Sequence, residues 1–265
     1  MKKNLLGACA IILALTMVCA CTGKKSSDTV IKVGATPVPH AELLNLVKDD
    51  LAQAGFTLEV IEFTDYVQPN SALIAGEIDA NFFQHIPYLL TNDEWAAKLI
   101  SAFAVHVEPF GLYSAKYNSI DVLPAGASIA IPNDPSNGGR ALLLLESNGL
   151  ITLREGAGLT ATPRDITGNP RNFRFQELEA AQLPRALGDV DAATINGNYA
   201  LQAGLIPLRD SLIIEGAESP YVNIIVVQQG KENDAKILAL KTALLSQKVK
   251  DYIYSHYDGG VVAVF

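Results

Sequence analysis

The stretch "IKVGATPVPHAELLNLVKDDLAQAGFTLEVIEF", residues Ile31 to Phe63, decides the fold class. Residues 31–36 and 56–63 are rich in β-branched and aromatic side chains, which predicts two strands. Between them, hydrophobic residues recur at helical spacing and end at Gly55, a residue suited to a helix C-terminus: Leu43, Leu44, Val47, Leu51 and Ala54. A strand, helix and strand in this order predict an α/β protein with a parallel-rich sheet flanked by helices.

Two later segments resemble each other, "GEIDANFFQHIPYL" from Gly76 and "GDVDAATINGNYAL" from Gly188. In each, a glycine ends a helix and Asp-Ala opens a short strand. Polar or aromatic residues then follow the carboxyl end of that strand, where open parallel sheets bind their ligands. The likeness is short, so it predicts a shared structural role rather than an inherited repeat.

The length of 265 residues is compatible with one domain or with two lobes. The strand-like run "SAFAVHVEPFGLYSAKY" is predicted to carry the chain from one lobe to the other, and "GAESPYVNIIVVQQG" to bring it back. The final stretch, residues 233–257, predicts one long amphipathic helix. Its inward face is expected to contain Ile237, Leu240, Leu244, Val249 and Ile253.

The N-terminus has the pattern of an export signal, with Lys2 and Lys3 before an apolar run and small residues around Cys21. The apolar run Leu5–Ala20 is shorter than the ~20 residues of a membrane-crossing helix, which makes an uncleaved transmembrane anchor the weaker alternative. "VCAC" resembles a bacterial lipobox. By that resemblance, residues 1–20 are a signal peptide and Cys21 becomes a diacylated N-terminus.

The composition excludes several classes of function. The chain has 28 acidic and 20 basic residues, an acidic balance that argues against nucleic acid as a partner. Nucleotide-binding loops, GxSxG elbows, CxxC pairs and HExxH motifs do not occur. The four histidines show no metal-ligand spacing, so we expect no metal site, no cofactor and no catalytic residues. They are His40, His85, His106 and His256.

"IPNDPSNGGRALLLL", residues 131–145, places Arg140 close to the start of a predicted helix, after Gly138 and Gly139. A cation there opposes the helix dipole unless an anion lies nearby. That anion is either a ligand carboxylate, held by the arginine and the glycine amides, or an internal acid such as Asp134. Local spacing leaves both alternatives open, together with a simply solvated arginine.

Neutral and aromatic side chains complete the candidate site. Asn196, Asn198 and Asn223 can donate to a carboxylate and accept from an ammonium, although each also suits a turn or a cap. Aromatic residues near the first of the two similar segments predict a slot for an apolar or thioether side chain. These are Tyr66, Phe83, His85 and Tyr88. The pattern alone indicates a small carboxylate-bearing molecule with an apolar tail.

Seven blocks in order together resemble the NlpA/MetQ family of methionine-binding lipoproteins, the substrate-binding components of methionine ABC importers. They are "GATPVPHAEL", "DANFFQHIPYL", "HVEPFGLYSAKY", "IPNDPSNGGRALLLL", "AQLPRAL", "DVDAATINGNYA" and "ESPYVN". The resemblance implies a two-lobed periplasmic-binding-protein fold of type II, with two crossovers. It divides the chain into a signal 1–20, a lipidated tether 21–29, a first lobe of 30–112 plus 221–265, and a second lobe 113–220.

The resemblance also implies the role of each site residue. Arg140 would grip the ligand carboxylate, and Asn198 and Asn223 would hold its amino and carboxylate groups. The side chain of the ligand would be enclosed by Tyr66, Phe83, His85 and, less closely matched, Tyr88. The expected partners are L-methionine, the permease and ATPase of an ABC importer, and a membrane reached through the lipid anchor. The chain is expected to be a monomer facing the periplasm or the cell exterior.

Two alternatives stay open at this point. The same receptor is able to serve D-methionine, a methionine derivative or another small amino acid or peptide. An enzyme on this scaffold would need His85 and Asp79 as an acid/base pair, but no nucleophile or metal set accompanies them.

Overall fold

The structure is a computed structural model that describes residues 29–216 and 219–265. The predicted signal peptide, Cys21 and nearly all of the predicted tether lie outside the described residues. Among the described residues, no helix has both the length and the apolar character needed to cross a membrane.

The described strands form two main sheets and one small one. The first sheet contains β1 (Val30–Ala35), β2 (Thr57–Glu62), β3 (Ala80–His85), β4 (Leu99–Val107), β12 (Val222–Gln228) and β13 (Val262–Ala263). The second contains β5 (Gly111–Tyr113), β6 (Ser128–Pro132), β9 (Arg174–Leu178), β10 (Ala192–Ile195) and β11 (Ser211–Ile214). β7 (Thr152–Leu153) and β8 (Ile166–Gly168) form a separate antiparallel pair.

Helices connect and cover these sheets. They are α1 (Glu42–Leu46), α2 (Lys48–Gln53), α3 (Gln68–Ile74), α4 (Ile86–Leu89), α5 (Asp93–Lys98), α6 (Pro135–Ser147), α7 (Leu183–Ala186), α8 (Gly197–Gln202), α9 (Pro207–Asp210), α10 (Ala235–Leu244) and α11 (Gln247–His256). A π-helical turn, Pro37–Ala41, precedes α1, and short 3-10 turns occur in the second lobe. The predicted α/β class with parallel-rich sheets is confirmed.

Each main sheet has three parallel strands at one edge and antiparallel strands beside them. The first sheet runs in the order β13, β4, β12, β3, β1, β2, and β1 is parallel to both β2 and β3. The second runs β11, β5, β10, β6, β9, and β6 is parallel to both β9 and β10. The chain leaves the first sheet after Val107, joins the second at Gly111, leaves it after Ile214 and returns at Val222. These are the two predicted crossings.

The two similar sequence segments occupy equivalent places in the two sheets. Asp79 precedes β3, and its carboxylate accepts a 2.8 Å hydrogen bond from the backbone N–H of Lys32 in β1. Asp191 precedes β10, and its carboxylate accepts a 2.8 Å bond from the backbone N–H of Ser128 in β6. Each aspartate therefore joins its own strand to the parallel neighbour, which is a shared structural role as the likeness predicted.

Helix α6 begins earlier than its glycines suggest. Asp134 is the N-cap and accepts from the backbone N–H of Asn137, so the helix starts at Pro135 and Arg140 lies in its second turn. The N–H of Gly138 donates to the carbonyl of Asp134 at 2.8 Å and is thus used within the helix. A Cβ on Gly139 would lie 2.2 Å from the carbonyl oxygen of Leu159. The glycines permit close packing, and the prediction that their amides face a ligand was wrong.

The C-terminal segment forms two helices rather than the single predicted one. α10 ends at Leu244, and Ser246 caps α11 by accepting from the backbone N–H of Val249. A capping serine competes with the helical backbone for hydrogen bonds, which explains the break. The five residues predicted to face inward are all buried in the core of the first lobe: Ile237, Leu240, Leu244, Val249 and Ile253.

Candidate functional site

A small cavity with about 20 Å³ of free space lies between the two lobes, at the carboxyl ends of β3 and β10. This is the edge at which parallel sheets place ligands. All seven side chains predicted from the sequence as ligand contacts line this one cavity: Tyr66, Phe83, His85, Tyr88, Arg140, Asn198 and Asn223. The structure thus brings them together, and their individual roles toward a ligand stay predictions.

Aromatic rings form one side of the cavity. The ring of Tyr66 lies 5.8 Å from those of Phe83 and Tyr88, and 5.0 Å from that of Tyr199, measured between centroids. The hydroxyl of Tyr88 donates to the carbonyl of Tyr66 at 3.0 Å, which fixes the two rings relative to each other. Sequence reasoning missed Tyr199, which packs against Tyr66 without lining the cavity itself and whose hydroxyl donates to the carbonyl of Thr64 at 3.1 Å.

Arg140 is buried and has an internal acid as its partner. Its Nε donates to Oε1 of Glu215 at 3.1 Å, and its Nη2 donates both to Oε2 of Glu215 and, at 3.0 Å, to the carbonyl of Glu108. The guanidinium also lies 4.2 Å from the ring centroid of Tyr221. The internal acid is therefore Glu215, whereas Asp134, the acid considered from the sequence, caps α6 instead.

Glu215 pairs with Arg140 from outside the cavity. Glu215 is absent from the side chains that line it, and it contacts the arginine from a separate surface groove that also contains Pro220. All three hydrogen bonds that described residues accept from Arg140 come from Nε and Nη2. Arg140 therefore lies between the groove and the cavity and lines both, and its Nη1 has no hydrogen-bond acceptor among the described residues.

Two asparagines of the second lobe present buried amide atoms at the cavity. Asn198 accepts a 2.6 Å hydrogen bond from the hydroxyl of Tyr66, and its buried Nδ2 finds no acceptor among the described residues. Asn196 donates to Oδ1 of Asn137 at 2.8 Å, and its own Oδ1 has no donor among the residues described. Buried amide atoms without partners are costly. Because both residues line the cavity, these atoms are available to a ligand.

His85 is a neutral, oriented side chain. Its Nδ1 accepts from the backbone N–H of Tyr88 at 3.1 Å, so its proton is on Nε2, which lies 3.4 Å from Oδ1 of Asn137. Burial lowers the pKa of His85 to about 3. Asp79 is at the opposite end of β3, about 20 Å away at the usual rise per residue, and its carboxylate binds Lys32 and Lys236. The acid/base pair considered from the sequence is therefore wrong.

A buried cluster of His40, His106 and Glu108 borders the cavity and was missed by the sequence reasoning. Oε1 of Glu108 lies 2.8 Å from Nε2 of His106 and 3.3 Å from Nε2 of His40. The four histidines are scattered in the sequence, but His106 near the end of β4 lies two residues before Glu108, and the turn after β1 adds His40 to the cluster. The alternation of polar and apolar residues in "HVE", residues 106–108, was the sequence signal that could have revealed this cluster.

The donor set of this cluster fits a hydrogen-bonded group better than a metal centre. A histidine that ligates a metal through one ring nitrogen normally donates the other N–H to a carboxylate, a carbonyl or water. Nδ1 of His106 is buried and meets no partner among the described residues. An N–H at that position would be unsatisfied, whereas a proton on Nε2 is accepted directly by Glu108.

An enclosed cavity between two α/β lobes, lined by a buried arginine, asparagine amides and aromatic rings, defines a ligand-binding protein of the two-lobed periplasmic type. The sequence model of the NlpA lipoprotein family matches residues 31–265, and the chain belongs to this family. Its members are transport-associated substrate-binding lipoproteins, so the chain is a binding protein rather than an enzyme.

Relatives and solved structures agree with this assignment. The chain is 43% identical to the methionine-binding lipoprotein MetQ of Bacillus subtilis, over 100% of this chain and 99% of the relative. It is 40% identical to the D-methionine-binding lipoprotein MetQ of Escherichia coli K12, over 96% and 94% of the two chains. A Burkholderia cenocepacia nutrient-binding protein, solved bound to methionine, is similar with a TM-score of 0.86 and 45% identity, covering 89% of this chain and all of that one.

Proposed function

We propose that this protein captures methionine, in its L form, within the interlobe cavity and delivers it to a methionine ABC importer. The observation that carries the proposal is the convergence of Arg140, the unpartnered Nδ2 of Asn198 and an aromatic slot on one enclosed volume. A cationic group and an amide donor suit a carboxylate. A slot of rings suits a thioether, because sulfur at a ring edge adds ~0.3–1.5 kcal/mol.

The ligands of similar proteins support a single amino acid. Methionine is the ligand named for the Bacillus subtilis relative and present in the Burkholderia cenocepacia structure, whereas the Escherichia coli relative is named for D-methionine.

The two enantiomers of methionine differ in their configuration at Cα, and this difference changes how the ligand fits the cavity. With the carboxylate at Arg140 and the side chain among the rings, inversion at Cα moves the ammonium to the other side of the cavity. Calorimetric titration of the ligand-free protein with L-methionine and D-methionine tests this directly. We expect tighter binding of the L form. Tighter binding of the D form would contradict this expectation and identify D-methionine as the preferred ligand.

The sulfur content of the chain provides a second test. The methionines are Met1 and Met17 and the cysteines are Cys9, Cys19 and Cys21, so a variant that begins at Gly23 contains no sulfur once its initiator methionine is removed. Elemental analysis of that variant should find about one sulfur per chain if methionine copurifies, as slow release from a closed cleft predicts. A sulfur-free protein that also gives no heat with methionine would contradict the proposal.

We further propose that Cys21 carries the lipid anchor, which holds the receptor at the bacterial membrane, facing the periplasm or the cell exterior. The lipobox resemblance and membership in a lipoprotein family support this attachment. Cys21 lies outside the described residues, and its role is tested in the Discussion. A permease with its ATPase would then receive the ligand from the anchored receptor.

A further inference from the structure

Strand β3 contains one residue more than the strand with which it pairs. Two consecutive residues of β12 lie opposite Gln84 and Phe82, so no residue of β12 lies opposite Phe83 between them. The parallel pairing of β3 with β1 also ends at Phe82. This arrangement is a β-bulge at Phe83, a feature that re-aims side chains and is frequent next to functional sites.

The extra residue decides the directions of the later side chains. Side chains of a regular strand alternate between the two faces of the sheet, so one additional residue moves every following side chain to the other face. Asn81 and Gln84 accordingly share a hydrogen bond, although residues three apart on a regular strand lie on opposite faces. The placement of the next residue, His85, depends on the same bulge, and Phe83, Gln84 and His85 all line the cavity.

A network of three buried amides holds the bulge. Oδ1 of Asn70, in α3, accepts from Nδ2 of Asn81 at 2.8 Å and from Nε2 of Gln84 at 2.7 Å, and its Nδ2 donates to Oε1 of Gln84 at 3.0 Å. Nε2 of Gln84 also donates to Oδ1 of Asn81 at 2.9 Å. None of the three residues is more than 2% exposed. Every side-chain nitrogen and oxygen of this amide network therefore has a partner inside the protein.

The amide network connects two walls of the aromatic slot. Helix α3 begins two residues after Tyr66, and Asn70 attaches the start of this helix to the strand that carries Phe83. The rings of Tyr66 and Phe83 lie 5.8 Å apart, measured between centroids. A fully paired buried network specifies one arrangement of its elements, because any shift leaves polar groups unsatisfied. The distance between the two rings is therefore fixed from behind the cavity.

We propose that the amide network of Asn70, Asn81 and Gln84 positions Phe83 and His85 against the side chain of the ligand, and so sets the side-chain length that the slot accepts. Asn70 and Asn81 do not line the cavity and act as positioning residues. The inference rests on the proposed function, since it assumes a ligand whose side chain enters the slot. Loss of the network should affect recognition of that side chain and spare recognition of the ligand's carboxylate and ammonium.

The test compares L-methionine with L-2-aminobutyrate, which has the same carboxylate and ammonium but a side chain that ends at the γ-carbon. The ratio of the two affinities, measured by calorimetric titration and competition, isolates the contribution of the slot. Asn70→Ala removes the amide that bonds to both others without changing a residue of the cavity. It should weaken methionine binding by about tenfold, roughly the effect of one methylene group in an apolar pocket, and 2-aminobutyrate binding by less than about threefold.

Gln228→Ala is the matched control for stability. Gln228, in β12, donates to the carbonyl oxygens of Leu73 at 2.8 Å and Ile74 at 3.3 Å, so it holds the other end of α3 and does not line the cavity. Its substitution should lower the melting temperature and change the affinity ratio by less than about twofold. An equal change of the ratio in Gln228→Ala and Asn70→Ala would overturn the inference, because loosening of α3 alone would then explain it.

Asn70→Ser is the second variant, for use if the alanine variant does not fold. Its hydroxyl replaces only part of the amide, so the affinity ratio should change by about threefold. An unchanged ratio in a folded Asn70 variant would overturn the inference. Failure of both variants to fold would do the same, since the amides would then serve the fold alone. Failure of the unmodified protein to bind methionine would instead overturn the proposed function, and this inference with it.

Discussion

Tyr66 and Asn198 form one of the hydrogen bonds between the two lobes, in which the tyrosine hydroxyl donates to the asparagine Oδ1 at 2.6 Å. Tyr66 lies between β2 and α3 of the first lobe, and Asn198 lies in α8 of the second. Both line the cavity, so the bond is at once part of the cavity wall and part of what holds the lobes together.

Tyr66→Phe should therefore speed ligand release. The change keeps the ring and removes the interlobe bond, at a cost of about 0.5–1.5 kcal/mol, or roughly two- to tenfold in the dissociation rate. Stopped-flow displacement of methionine measures that rate. Tyr88→Phe is the matched control, because its hydroxyl donates within the first lobe. Equal effects of the two variants would show that the interlobe bond has no special part in release.

Arg140→Ala should weaken methionine binding by roughly tenfold to several hundredfold, from ~1.5–3 kcal/mol per charged hydrogen bond lost. The substitution should also lower stability, because it deprives the carboxylate of Glu215 and the carbonyl of Glu108 of their donor.

The double variant Arg140→Ala/Glu215→Ala separates the two effects of Arg140. It should recover part of the thermal stability but none of the affinity, as measured by calorimetry. Unchanged methionine affinity in Arg140→Ala would remove the arginine from the proposed site.

The ligand-free protein should lose stability as the pH falls from about 6.5 to about 4. Burial lowers the pKa values of His40, His85 and His106 from 6.5 to about 4, 3 and 3. In this window the unfolded chain binds protons that the native state does not, so stability falls with falling pH, by up to about 1.4 kcal/mol per pH unit for each histidine. Burial raises the pKa values of Glu108 and Asp134, which opposes part of the loss.

Thermal melts between pH 7 and pH 4.5 measure this dependence. A melting temperature that stays constant or rises as the pH is lowered would contradict the conclusion that the three buried histidines are neutral in the native state. His85→Asn removes one of the three titrating groups and should reduce the slope.

Gly139→Ala should destabilise the second lobe by several kcal/mol or shift helix α6. Its Cβ would lie 2.2 Å from the carbonyl oxygen of Leu159, a backbone atom that cannot rotate away. Gly188→Ala is the matched control, because no atom lies within 4 Å of the Cβ position. Denaturant unfolding compares the two, and similar free energies of unfolding would refute the tight packing.

Cys21→Ala should prevent lipidation. We expect the protein to become soluble or to remain as an uncleaved precursor, because the small residues before the cysteine no longer lead to an acylation site. Membrane fractionation with a mass measurement distinguishes these outcomes. A mature-length species that still fractionates with membranes would contradict the anchor.

Local patterns predicted the parts of the structure that local chemistry controls. The β-branched and aromatic runs indicated the strands, helical spacing indicated the helices, and the strand ends led to residues such as His85 and Asn198. The start of α6 was also readable, since Asp134 followed by Pro135 is a typical N-cap and first helical residue. Gly138 and Gly139 instead suggested a later start of the helix.

The remaining errors concern contacts between distant parts of the chain. Glu215 meets Arg140 across 75 residues, and His40 meets Glu108 across 68. No periodicity links such pairs, because the order of strands in the sheets decides which loops meet. A family resemblance helped with matched positions but gave no role to Glu108, which only the assembled cavity places beside the predicted ligand contacts.

The route of the chain through the two sheets has a mechanical consequence. The strands nearest the described ends, β1 and β13, both belong to the first sheet, so the whole second lobe is a loop of chain anchored at its two crossings. Rotation of that lobe moves neither end. An attachment upstream of Thr29 is therefore connected directly to the first lobe only. Movement of the second lobe relative to the first would not displace that attachment point.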